Sequence, residues 1–140
     1  MKKEHHYFIG GKIQPYQLSV GAVVLNGNGE VLCHHFSGIQ GSLDIYSLMR
    51  QTVEPGKSLE EMIAFGLKKE FGVRAKIEGF LGSIVGQFTN WEQAAIEKTT
   101  VYFLCEYEGE IENSPGRGDD LEGVKSAIEW IKLDDLIVKM

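Results

Sequence analysis

The stretch Tyr46–Val73, YSLMRQTVEPGKSLEEMIAFGLKKEFGV, decides how the chain folds. Thr52 to Lys57 reads as a strand end followed by a Pro-Gly turn. Ser58 and Glu61, three residues apart, then form a capping box, in which each side chain takes up a backbone N–H that a helix start leaves unpaired. Leu59, Ile63 and Leu67 recur at four-residue spacing with Met62 beside them, the apolar stripe of a helix packed on a core. Gly72 supplies the glycine that closes a helix C-terminus. The spacing predicts a helix from Ser58 to about Phe71. Gly66 sits inside it at a cost of about 1 kcal/mol relative to alanine, so Gly66→Ala is expected to stabilise the fold unless the position is tightly packed.

This strand, turn and helix resemble the signature of the Nudix hydrolases, G-x5-E-x7-R-E-U-x-E-E-x-G-U with U a bulky aliphatic. Tyr46, Ser47, Leu48, Thr52, Val53, Glu54, Pro55, Gly56, Ser58, Leu59, Glu60, Glu61, Leu67, Lys68, Glu70, Gly72 and Val73 fall in the frame of a typical member. The departures lie where the family does its chemistry. Met49 and Arg50 replace a proline and a glycine, Gln51 the opening glycine of the box, and Lys57 its first glutamate. Phe65, Gly66 and Lys69 stand where the family has an arginine and two glutamates. The resemblance implies an α/β fold: a mixed β-sheet with the box helix packed on it and a short C-terminal helix on the other side, as one domain over residues 1–140.

The family's carboxylates hold Mg2+, a hard ion that takes oxygen ligands in octahedral geometry and bridges to substrate phosphates. At about 100° per residue, positions 66, 69 and 70 share roughly a third of the helix circumference, so three glutamates there make one metal face. Here only Glu70 remains as a catalytic and metal-ligand candidate. Glu61 points about 180° away from it and Glu60 about 80°. The box positions 57, 66, 69 and 70 read Lys, Gly, Lys and Glu, so a cleft that is acidic in the family becomes neutral to basic. Lysine holds phosphate as a point charge and arginine as a fork. Lys57, Lys69 and the nearby Arg50 are therefore candidate ligand-binding residues, set against the plainer reading of solvated surface lysines. Trp91, in an expected loop, is a candidate to stack a nucleobase, against the reading that it packs on the sheet. Glu97, in the same expected loop, is either a site carboxylate or an exposed surface residue.

Composition bounds the rest. The chain has 140 residues, 43% hydrophobic and 24% charged, enough for a sizeable core. A net charge of -6 and a pI near 5.2 argue against a general nucleic-acid binder. Cys33 and Cys105 fall inside expected strands as small buried hydrophobes, giving neither a disulfide framework nor a zinc site. His5-His6 and His34-His35 are adjacent pairs whose members point to opposite faces of a strand, which disfavours a shared ion. No signal peptide or membrane-spanning run is seen, so a cytoplasmic protein without membrane contact is expected.

Along the chain, Leu18–Leu25 and Glu30–Phe36 are expected strands joined by a turn at Asn26-Gly27-Asn28-Gly29. The glycine-rich run 37–42 reads as connection and not as a phosphate loop, because no helix follows at the required spacing. Ile45–Val53 is one expected strand. Ala75–Phe88, with Gly79, Gly82 and Gly86, is expected to be long and bent or bulged. Thr99–Tyr107 is the clearest strand, Gly109–Ser126 a solvated loop, and Ala127–Leu133 a final strand, after which Asp134 caps a helix of about two turns.

Three functions compete. The first is a domain whose metal box is largely lost and which binds a nucleotide or other phosphorylated small molecule. The second is a working Mg2+-dependent pyrophosphohydrolase of nucleoside-diphosphate-linked substrates with unusual ligands, for which Mg2+ would be the cofactor. The third is a structural or protein-interaction domain. A homodimer stays open.

Overall fold

In a computed structural model, which describes residues 8–37, 45–111 and 125–139, seven strands and two helices follow one another. They are β1 (Tyr16–Leu25), β2 (Glu30–Ser37), β3 (Ile45–Ser47), β4 (Met49–Thr52), α1 (Leu59–Glu70), β5 (Val73–Thr89), β6 (Ala95–Glu110), β7 (Lys125–Lys132) and α2 (Leu133–Lys139). β1 is the hub. It pairs in parallel with β6, from Tyr16↔Glu97 to Leu25↔Glu106, and antiparallel with β4 on its other edge. β5 pairs antiparallel with β6, while β2 carries β3 and β7. The sheet is therefore mixed, as the family resemblance implied.

The spacing of the strands departs from expectation where hydrogen-bonding edges are contested. The Asn26–Gly29 turn forms, with Asn26 Oδ1 accepting from the backbone N–H of Asn28 and Glu30. Yet β1 and β2 pair only at Leu25↔Val31, because both edges of β1 are occupied by β4 and β6. The expected strand Ile45–Val53 breaks at Leu48: β3 joins β2 and β4 joins β1. β5 is long and irregular as its glycines suggested, with register shifts at Arg74/Ala75, Ile77/Gly79 and Phe80/Gly82. The β5–β6 turn is confined to residues 90–94, so most of the expected loop through Lys98, including Glu97, is β6 strand. The glycine-rich connection and most of the acidic loop before β7 fall at 38–44 and 112–124, outside the described residues, as does the pair His5-His6.

α1 starts where the capping box places it, with Ser58 Oγ accepting from Glu61 N–H and Glu61 returning the bond to Ser58 N–H. It ends on Gly72 at φ 70°, whose N–H reaches the carbonyls of Leu67 and Lys68. Met62, Ile63 and Leu67 are buried against Val20, Ala22, Val24, Met49 and Cys105. α2 packs through Leu136 on the opposite side, against Val31, Cys33 and the partly buried Val23 and Leu25. Asp134 lies inside its first turn and does not precede it. Since strand side chains alternate, β1 offers Val20, Ala22 and Val24 to α1 and Ser19, Gly21 and Val23 to the other face. No helix among the described residues is long and apolar enough to cross a membrane.

Candidate functional site

The box face is closed by its own side chains. Gly66 lies against β4 so tightly that a Cβ there would stand 2.5 Å from Met49 Sδ and 2.7 Å from Gln51 Cγ. The same closeness brings Glu70 to the strands. His34 Nε2 on β2 lies 2.8 Å from Glu70 Oε1, and the Gln51 amide donates to Glu70 Oε2. The His34 ring stacks on Phe71 at 4.4 Å between centroids. His35, one residue on, points the other way to Glu129 and stacks on Tyr46, so the two histidines diverge as the strand alternation requires.

Mg2+ requires several oxygen ligands at once. The four box positions do not fit it: they hold one carboxylate, and both its oxygens are already engaged by protein groups. Among the described residues no three His, Cys, Asp or Glu side chains come together as a metal-ligating group. Lys57 is exposed at the turn before α1. Lys69 is exposed too, with its Nζ 5.6 Å from the Phe65 ring centroid, a cation–π contact along its own helix.

Arg50 does not join them. Met49 and Gln51 face α1, so the side chain between them projects to the opposite face of the sheet. There it lines a cleft of about 290 Å3 with Lys98, Thr100 and Tyr102 of β6 and Ile84, Gln87 and Phe88 of β5. Two registers explain the meeting: Gly21 pairs with Arg50 on one side and with Tyr102 on the other. The Tyr102 ring lies over Gly21 so closely that a Cβ there would come within 2.5 Å of it. Half-burial holds the Lys98 ammonium below the usual lysine range, and the Arg50 charge lowers it further. No carboxylate pairs with either cation among the described residues.

Trp91 is 87% exposed at the tip of the β5–β6 turn and does not line this cleft, so the expected packing on the sheet is not found. Glu97 is exposed on β6, its side chain alternating with that of Lys98 to the other face. Cys33 and Cys105 are buried free thiols, each pushed up to about 11 chiefly by burial. The residues that sequence reading missed are His34, Gln51, Lys98 and Tyr102. Only the strand register, which no local pattern encodes, assigns them to these two places.

A profile of the NUDIX domain matches residues 15–140. Among solved structures, the chain is similar to a NUDIX hydrolase from Nitrosomonas europaea, with 18% identity and TM-score 0.60 over 87% of this chain and 76% of that one. It is also similar to a MutT protein from Methanosarcina mazei Go1, at 19% identity and TM-score 0.60 over 90% and 83%. The E. coli ORF135 protein follows at 14% identity and TM-score 0.56, over 89% and 79%. None of the curated proteins matches the sequence. The profile match covers nearly the whole chain and the architecture agrees with it, so the chain belongs to the NUDIX domain family.

Proposed function

We propose that this NUDIX domain binds a phosphorylated small molecule without a bridging metal ion, and that its hydrolytic box is impaired. The supporting observation is the pair Arg50 and Lys98: two cations share a cleft, one of them half-buried, with no carboxylate partner among the described residues. Like charges in a partly dry site repel, and the opposite charge of an anionic ligand offsets both the repulsion and the cost of desolvation. Arginine offers a planar fork to phosphate and lysine a point charge. Thr100, Tyr102 and Gln87 add hydroxyl and amide groups to the same lining. The anion thus goes to the face of the sheet away from α1, with Arg50 and Lys98 taking the role that the box lysines Lys57 and Lys69 were candidates for.

The impairment rests on Glu70. A carboxylate that accepts from His34 and Gln51 on its two oxygens has little left to offer a divalent ion, and Lys57 and Lys69 stand where other ligands would be needed. A thermal-shift screen in EDTA over pyrophosphate, nucleoside diphosphates, ADP-ribose and dinucleoside polyphosphates tests the reading, since a ligand that binds only the folded state raises the melting temperature. The expected result is stabilisation by at least one compound that disappears in Arg50→Glu. Stabilisation that requires Mg2+ and comes with turnover would favour the hydrolase instead.

A further inference from the structure

The Arg50–Lys98 cleft does not end at its polar part. Tyr102 and Ile84 also line a second hollow of about 300 Å3, whose remaining walls are Val23, Leu48, Leu81, Gly82 and Ser83. Both hollows lie on the face away from α1, because Val23 shares the alternation of Gly21 on β1 and Tyr102 is the residue paired with Gly21. The second is apolar. Its side-chain polar atoms are the Ser83 and Tyr102 hydroxyls, while Leu81 and Ile84 are 53% and 63% exposed. Each hollow alone is at the lower bound of small-molecule sites, roughly 300–1,000 Å3, and the two together fall well inside it.

Charge and polarity differ along this cleft, with two cations that have no carboxylate partner among the described residues at one end and aliphatic side chains at the other. A nucleobase presents polar edges and a flat face, and it is held by hydrogen bonds to its edges and by stacking on an open aromatic face. The apolar end supplies one aromatic ring, Tyr102, which is already laid against the sheet over Gly21. A flexible hydrocarbon needs only water-excluding walls.

Resting on the anion-binding reading above, we propose that the two hollows take one amphiphilic ligand, a phosphate or diphosphate monoester of an aliphatic alcohol. Its anionic head sits between Arg50 and Lys98, and its chain runs past Tyr102 along Leu48, Leu81 and Ile84. Tyr102 marks the boundary, contributing to both linings.

Calorimetry on the full chain in EDTA tests this with inorganic pyrophosphate, ADP and the n-butyl to n-octyl monophosphates, below their micelle concentrations. Affinity is expected to climb with chain length, toward about fourfold for each methylene fully withdrawn from water. It is expected to exceed that for ADP at the longer chains, and Leu81→Asn flattens the climb. Alkyltrimethylammonium ions of the same lengths should not bind, and equal binding of both series overturns the proposal because the head group would not be read. A flat series with pyrophosphate still bound overturns the chain site and leaves the anion site standing. Tighter binding of ADP, or an unchanged slope in Leu81→Asn, also overturns it. Absence of binding by any phosphate removes the anion site and this proposal together.

Discussion

His34 Nε2 lies 2.8 Å from Glu70 Oε1, so the box glutamate that the chain retains is tied to a buried histidine on β2. Gln51 holds its other oxygen. Glu70→Gln is expected to lower stability by about 1–3 kcal/mol, the scale of a hydrogen bond to a charged group, while leaving any hydrolysis nearly unchanged. Mg2+ should bind no more tightly than about millimolar, given so few oxygen ligands. Denaturant unfolding and a metal titration check both, and a mutation that abolished a robust metal-dependent hydrolysis would show the box to be intact.

Gly66→Ala is expected to destabilise the protein, reversing what helix propensity alone suggests. The gain of about 1 kcal/mol from alanine is outweighed by overpacking of about 1–3 kcal/mol, because Met49 is fully buried and its sulfur stands where the new methyl must go. Differential scanning calorimetry reads the sign. The cost should shrink when Met49→Ala makes room, a coupling that a double-mutant cycle measures.

The pH dependence of Lys98 follows from its lowered value. Folded, it binds fewer protons than the unfolded chain in the window just below 10.5. Its penalty on folding is therefore complete below that window and is relieved as pH rises through the folded value. Mass-spectrometric mapping of amine acylation against pH should give Lys98 an earlier midpoint than a free lysine side chain, as in an acetyl-lysine amide labelled in the same mixture. In Arg50→Gln the midpoint should move up only in part, since burial is the larger cause. A midpoint equal to that of the free lysine side chain would remove the electrostatic argument for the cleft.

Much of the fold was legible because its signals are local. Ser58, Glu61, the Leu59–Ile63–Leu67 stripe and Gly72 fix α1 within one contiguous stretch, and the glycines of β5 announced its bulges. The site was less legible because it depends on pairing between distant segments. Arg50 reads as a neighbour of Lys57 and Lys69 along the chain, yet strand alternation turns it to the other face of the sheet. Lys98, 48 residues on, shares a cleft with it only because β1 pairs with both β4 and β6, with Arg50 opposite Gly21 and Lys98 opposite Gln17. Glu70 was picked out by the box pattern, but nothing near it in sequence indicates that His34 will meet it.

Gly21→Ala is expected to weaken both fold and ligand site. A Cβ there meets the Tyr102 ring at 2.5 and 2.7 Å and the Met49 carbonyl at 3.0 Å, and the backbone oxygen has little room to give. The loss should be about 1–3 kcal/mol in denaturant unfolding, with any phosphate binding weakened as the ring is displaced. Unchanged stability would mean that the ring is free to move and is not a fixed wall of the cleft.

The central claim, an anion site at Arg50 and Lys98 that needs no metal, is tested most directly by calorimetric titration of pyrophosphate in EDTA. The wild type is compared with Lys98→Glu and with the double variant Lys57→Glu/Lys69→Glu. The account predicts binding in the wild type that survives the chelator, is lost in Lys98→Glu and persists in the double variant. Binding that appears only with Mg2+, or that persists in Lys98→Glu and is lost in the double variant, would return the anion to the box and contradict the account.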